Sequence, residues 1–358
     1  MYASGAEAVI QRETDTPFGF RSPCYIPVVM RSTPYSSLEI CAGAGGQALG
    51  LEQAGFSHDA AIELDPHAVQ TLRANRPQLD VVHADVREID GKDYRGIDLF
   101  AGGVPCPPFS VAGRQRGADD ERDLFPTALR LIEESRPGAV LIENVPGLAT
   151  AKFKSYRASV ALRLEKLGYR VDWQVLNASS YGVPQLRPRF VLVGLKPRAF
   201  SRFAWPTPLS APLTVGTALR DLMASDGWKG AFAWAQAAQG IAPTLVGGSK
   251  LHGGPDLGPT RARAAWRLLQ VDGRGLADAP PTADHPLDHL PRLTVRMAAR
   301  IQGFPDEWQF VGRKTAAYRQ VGNAFPPPVA FAVGTAIRAA LAGERPTSLP
   351  QQFSLRVG

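Results

Sequence analysis

From residue 36 to residue 195, short apolar runs alternate with stretches of helical period, and no other feature of this chain constrains its fold as tightly. SSLEICAG reads as a strand entering a glycine turn, and AGGQALGLEQAG as the helix that follows. HDAAIEL is a second strand, and DPHAVQTLRANRP its helix, opened by Asp65 with Pro66 in the first turn. DVVHADV, GIDLFAGGV, AVLIENV, YRVDWQVLNAS and RFVLVGL continue the strands, with LFPTALRLIEESRP and YRASVALRLEKLGY as further helices. Alternation at this spacing predicts an α/β fold: a parallel, doubly wound sheet with helices on both faces. Such sheets bind ligands at the carboxyl ends of their strands, so strand ends are where chemistry is expected.

After Lys196 the texture changes. Residues 200–290 are rich in Pro, Gly, Ala and Arg and show one convincing helix, TRARAAWRLLQV, which reads as a second, smaller and irregular domain. LTVRMAARIQGF is helical, and VGNAFPPPVAFAVGTAIRAAL is a loop feeding an apolar helix suited to packing back on the first sheet. Residues 1–34 show no sustained period and are expected to be poorly ordered, with Met30 as the expected natural start.

The chain carries 40 Lys+Arg against 33 Asp+Glu, a net charge of +7. Residues 1–195 hold 21 basic and 23 acidic side chains, and residues 196–358 hold 19 and 10, so the whole positive excess lies in the second half. That asymmetry points to a polyanion partner there. Three cysteines without a CxxC spacing exclude a disulfide scaffold, and no metal site is expected. No apolar run approaches the roughly 20 residues needed to span a bilayer, so no membrane partner is expected and the cytoplasm is the expected location.

Four constellations sit at strand ends. In CAGAGGQALG, closely spaced glycines before a helix let a ligand approach the backbone at the helix N-terminus. The spacing matches neither the dinucleotide fingerprint nor the phosphate loop. Glu63 and Asp85, ending the next two strands, offer acceptors for ribose hydroxyls and a base amino group. The combination suits a nucleoside without phosphates, S-adenosylmethionine first among them. In GGVPCPPFSVAGRQRG, Cys106 lies between prolines that stiffen its loop, as suits a nucleophile that needs a fixed trajectory. In LIENVPGL, Glu143 and Asn144 end an apolar strand, where a partly buried carboxyl has a raised pKa and can give up a proton near neutrality. In QLRPRF, Arg187 and Arg189 project on one face before a buried strand, placed equally well for a structural ion pair or for an anion or carbonyl.

Taken together and in order, these blocks resemble the DNA (cytosine-5-)-methyltransferase family. CAGAGG is similar to its cofactor loop, GGVPCPPFS to its nucleophile loop, ENV to its acid block and QLRPR to its QxRxR block. RLTVRMAARIQGFPDEW is similar to the block that organises the recognition domain, and VGNAFPPPVA to the C-terminal block that completes the cofactor pocket. Cys41, Pro107 and Met297 depart from the commonest family residues without removing a reacting group.

The resemblance implies methyl transfer from S-adenosylmethionine to C5 of cytosine in a specific double-stranded DNA sequence, through a Cys106 adduct at C6 of a flipped-out base. Glu143, Arg187 and Arg189 would be the other catalytic residues. Gly43, Gly45, Gly46, Glu63, Asp85, Asp98, Pro105 and Asn323 would form the cofactor pocket. Arg114 and Arg116 would close over DNA, Thr244 and Leu245 would sit beside the flipped nucleotide, and Lys250, His252, Arg261 and Arg263 are candidate base readers. The implied organisation is a catalytic domain over 35–197, a target-recognition domain over 198–291, and a supporting segment over 292–319. A returning segment over 320–345 and a tail over 346–358 follow. A monomer is expected, and a cognate restriction endonuclease acting separately is left open. An RNA cytosine methyltransferase and a non-catalytic DNA-binding relative are the rival readings.

Overall fold

In the computed structural model, residues 35–105, 123–209, 211–247 and 256–344 are described. Seven strands form one sheet: β1 (Tyr35–Ile40), β2 (Phe56–Glu63), β3 (Val81–His83), β4 (Leu99–Gly103), β5 (Ala139–Asn144), β6 (Arg170–Asn177) and β7 (Pro188–Leu195). Their spatial order is β3-β2-β1-β4-β5-β7-β6. The first five strands pair in parallel, joined by crossovers that carry α-helices or, between β3 and β4, short 3-10 turns. The sheet is nevertheless mixed, because β7 runs antiparallel to both β5 and β6, which corrects the all-parallel expectation. The cause is local. Residues 178–187, which join β6 to β7, contain only the short 3-10 turn Ala178–Tyr181, and a parallel return needs a crossover of a dozen or more residues.

Both faces of the sheet are covered, as continuous apolar strands require. On one face, Leu38, Phe100, Val140 and Leu192 pack against α3 (Phe125–Ser135) and α4 (Lys154–Lys166). On the other, Ala101, Leu141, Val191 and Val193 pack against α11 (Pro327–Ala342), the apolar helix expected to return. It meets α1 (Gly46–Gln53) backbone to backbone: a Cβ on Gly50 would lie 2.4 Å from the Pro327 carbonyl oxygen. The 314–342 stretch is long and apolar enough to cross a bilayer, but 83% of its most apolar window is buried inside the fold, as in a core helix. The second crossover helix, α2 (Pro66–Asn75), starts as its sequence dictates, with the Asp65 carboxylate capping the His67 and Ala68 amides.

Residues 198–291 hold more helix than their composition suggested. Beyond the short α5 (Pro197–Phe200) they contain α6 (Val215–Ala224), α7 (Ala231–Ala237) and α8 (Thr260–Leu268). With α9 (Val295–Gln302) and α10 (Lys314–Asn323), these helices share a core built on Trp228, Trp234, Trp266 and Phe304. The α6 signal was present, since Val215, Ala218, Leu219 and Leu222 recur at helical spacing, but Gly216 in the first turn obscured it. Gly216 is needed there because a Cβ would lie 2.1 Å from the Ala235 carbonyl of α7. The segment VGN, expected as loop, is the last turn of α10. Met297, the departure in the α9 block, completes the cap of that helix: its amide donates to Thr294 Oγ1 and its sulfur accepts the Thr294 amide.

Candidate active site

The carboxyl ends of β1, β2, β4 and β5 open on a cavity of about 230 Å³, closed on its far side by the end of α10 and by Phe325. The glycine loop forms one wall. Gly45 caps α1 with φ 84°, a left-handed conformation, and a Cβ on Gly46 would lie 2.3 Å from the Phe325 carbonyl oxygen. Gly43 faces open space, with nothing within 4 Å of where a Cβ would stand, and its amide donates to Glu63 Oε2 at 2.7 Å. The other oxygen of Glu63 accepts the Leu64 and Asp65 amides, so this carboxylate fixes the loop as well as lining the cavity. Cys41 is a further wall residue, and burial pushes its thiol well above the ordinary cysteine range, so it presents a neutral surface.

Two cavity residues were not singled out in the sequence. Glu39, on β1, is almost wholly buried, and its Oε2 has no partner among the described residues. Gln47, in the first turn of α1, is also buried, with neither amide atom partnered among the described residues. Burial raises the Glu39 carboxyl well above its ordinary value, with repulsion from Glu52 and Glu63 adding to it. A charged residue inside the apolar run SSLEICAG was the available signal. Unmatched buried polar atoms are costly, and a polar ligand in the cavity would satisfy them.

Glu143 ends β5 beside the same cavity. Gly103 is its partner across the β4–β5 pair, and the absent side chain there leaves room for the carboxyl. Arg189 Nε lies 2.8 Å from Glu143 Oε1, with both side chains 12% exposed. Burial raises the Glu143 carboxyl above the ordinary range, while Arg189 and then Arg187 pull it back. The net direction is upward, toward the protonated form. Asn144, next in sequence, donates to the Val104 carbonyl at 2.8 Å and so anchors the chain two residues before Cys106.

Arg187 and Arg189 are placed near one another, but their work differs. Arg187 is fully buried and donates to three backbone carbonyls: Leu245 at 2.8 Å, Gly322 at 2.7 Å and Ala324 at 3.0 Å. It therefore clamps the 242–247 segment to the end of α10, and Arg189 alone grips the acid. Gln185 extends the clamp, accepting the Leu245 amide at 2.8 Å and donating to Gln302 at 2.7 Å.

Of the other cofactor candidates, Asn323 lines the cavity and exposed Pro105 follows β4 at the correct end. Asp85 lies at the carboxyl end of β3, held by the Arg87 amide and guanidinium, and is not part of the cavity wall. Asp98 is a correction. It precedes β4 at the opposite end of the sheet, where its carboxylate accepts the Ser36 amide at 2.9 Å, so it serves strand pairing and not the cofactor.

Among the DNA candidates, Thr244 donates to the Leu186 carbonyl at 2.5 Å, while Leu245 is fully buried in the helical core and its side chain cannot touch a nucleotide. Arg261 is exposed and Arg263 half-buried on the first turns of α8. Cys106, Arg114, Arg116, Lys250 and His252 lie outside the described residues.

Comparison with known proteins shows the family. Residues 35–246 and 260–339 match the family model for C-5 cytosine-specific DNA methylase. The chain is 57% identical over 308 residues to the type II methyltransferase M.NaeI of Lentzea aerocolonigenes, covering 85% of this chain and 75% of the relative. It is 54% identical over 319 residues to M.NgoMIV of Neisseria gonorrhoeae, covering 87% and 99%. The fold superposes on Spodoptera frugiperda DNMT2 with a TM-score of 0.59 at 14% identity, over 85% of this chain and 99% of that one.

Proposed function

The chain belongs to the C-5 cytosine-specific DNA methylase family, and from that premise we propose how its residues methylate cytosine at C5 in a specific duplex DNA sequence. The cavity fits S-adenosylmethionine, which when bound supplies an electrophilic methyl group on a sulfonium. Gly43 lets the ligand lie against the backbone and Glu63 would accept its ribose hydroxyls, while Asp85, outside the cavity wall at the end of β3, would meet an adenine amino group only where the ligand extends past that wall. The unmatched polar atoms of Glu39 and Gln47 suit the charged methionine end. Asn323 completes the wall, and Gly45 and Gly46 shape the turn.

Cytosine C5 is a poor nucleophile until the ring is activated. The Cys106 thiolate adds to C6, forming a carbon–sulfur bond and making C5 enamine-like. Negative charge then develops on N3, where protonated Glu143 neutralises it while holding the 4-amino group. Arg189 orients Glu143 and reaches the 2-carbonyl. C5 would take the methyl group as its bond to the sulfonium breaks, leaving a neutral thioether; the C5 proton would then pass to solvent while the C6–sulfur bond breaks, releasing Cys106 as thiolate and restoring the ring. None of these atoms is accessible inside a stacked duplex, so the base is flipped out at a cost of a few kcal/mol that protein contacts offset. Residues 198–291, with the basic second half of the chain, supply those contacts. The names of the relatives support a role as the modification enzyme of a restriction-modification system, acting in the bacterial cytoplasm.

The observation that carries this reading is the buried Glu143–Arg189 pair opening on the cavity that the glycine loop forms. Transfer of tritiated methyl from S-adenosylmethionine to duplex DNA and to tRNA tests it. Label in duplex DNA supports the reading; label in tRNA alone, or in neither, overturns it.

A further inference from the structure

A clamped pair of arginines stands outside the site described so far, on the chain that follows α8. Asp272 is 8% exposed, and its carboxylate is saturated with donors. Oδ1 accepts the Arg274 amide at 3.1 Å and Arg274 Nε at 2.9 Å; Oδ2 accepts Arg274 Nη2 at 3.0 Å and Arg292 Nε at 3.0 Å. Arg274 nevertheless remains 70% exposed. Both arginines border a concave surface of about 420 Å³, separate from the cofactor cavity. The loop is tied to the chain before α8 and to α10. The Leu257 amide donates to the Gly273 carbonyl at 3.0 Å, and Lys314 Nζ, at the start of α10, donates to the Leu276 carbonyl at 3.1 Å.

As a stabilising device this arrangement gains the fold little, because ion pairs reaching an exposed guanidinium contribute weakly. What it does fix is a plane. With Nε and one Nη2 hydrogen held by Asp272, Arg274 keeps Nη1 and the second Nη2 hydrogen as a parallel pair of donors, without a partner among the described residues. Guanine presents a matching pair of acceptors, O6 and N7, in the major groove. A phosphate could also take a guanidinium fork, so charge is what separates the two: one carboxylate is shared by two guanidinium groups here and cancels half of their charge. The geometry thus suits a neutral edge with paired acceptors better than a phosphate.

Resting on the DNA methylation reading above, we propose that Arg274 reads one guanine of the target site, with Asp272 as its positioning residue. The test expresses wild type, Arg274→Ala, Arg274→Lys and Asp272→Asn in a host without other cytosine-5 methylation. Bisulfite sequencing defines each motif, and methylation rates are then measured on duplexes changed at one position at a time. Both Arg274 variants should melt like wild type and relax the same G·C position, with discrimination there falling about 10- to 100-fold and other positions unchanged. Asp272→Asn should relax that position too. Wild-type discrimination in Arg274→Lys overturns the proposal. So does a uniform loss in Arg274→Ala with a salt slope smaller by about one, the mark of a phosphate contact. An Asp272→Asn enzyme that melts early but keeps the full motif removes the positioning role. Wild type that methylates no duplex would instead overturn the function on which the proposal rests.

Discussion

Replacing Arg187 with methionine should cost stability before it costs chemistry. The guanidinium donates to the carbonyls of Leu245, Gly322 and Ala324, all within a fully buried junction. Methionine fills the stem of the cavity but returns none of these bonds. The Ala324 carbonyl still accepts Gln302 Nε2 at 2.6 Å, so two carbonyls are left unmatched. At about 1–3 kcal/mol each, with partial relaxation of the segment, the lower half of the sum is realistic, about 2–4 kcal/mol. For a chain of this size that corresponds to a melting temperature about 3–5 °C lower. Arg189→Met is the control. It removes the 2.8 Å contact to Glu143, whose buried carboxyl can then simply take up a proton, so melting should change little while kcat falls. Calorimetric melting of both variants without cofactor, beside single-turnover methylation, separates the two roles. If Arg187→Met melts within about 1 °C of wild type and loses turnover as Arg189→Met does, Arg187 works on substrate and the clamp assigned to it is wrong.

Glu143→Gln should lower kcat by about 10²- to 10⁴-fold while S-adenosylhomocysteine affinity, measured by calorimetry, is retained. Because burial raises the Glu143 carboxyl, its protonated fraction falls as pH rises through that raised value, so wild-type kcat/KM should decline on the alkaline side through this group. Gly43→Ala and Gly46→Ala should fail differently. The first meets no atom within 4 Å and costs about 1 kcal/mol of left-handed strain while weakening cofactor binding. The second collides with the Phe325 carbonyl and should lower the melting temperature even without ligand. Duplex affinity should fall with log salt at a slope of about 0.9 per phosphate neutralised, and a flat dependence would remove the basic second half as the DNA footprint.

The central sheet was legible because its strands are short apolar runs and its crossover helices carry ordinary start signals, as Asp65 and Pro66 show. The reversal of β7 followed from the short 178–187 connection, whose meaning depends on counting residues and not on hydrophobic period. Glu143 stood out because packing does not explain a carboxyl ending an apolar strand. Arg187 and Arg189 could not be told apart in this way. Alternation puts both on one face, but the carbonyls that engage Arg187 arrive from residues 58 to 137 positions away. Asp98 was misplaced because the resemblance marks a strand, and the two ends of a strand are opposite sides of the sheet. Glu39 and Gln47 escaped notice because a single polar residue in an apolar run has no meaning until its surroundings are known to be a cavity.

The most direct test of the account is covalent capture. A duplex carrying 5-fluorocytosine at the target position blocks the final loss from C5, so attack by Cys106 should leave enzyme and DNA joined in the presence of S-adenosylmethionine. The account predicts a denaturant-stable complex with wild type, peptide mapping of the link to Cys106, and no complex with Cys106→Ala. A link at another residue, a complex that persists in Cys106→Ala, or wild type that forms none while methylating ordinary duplex would contradict it.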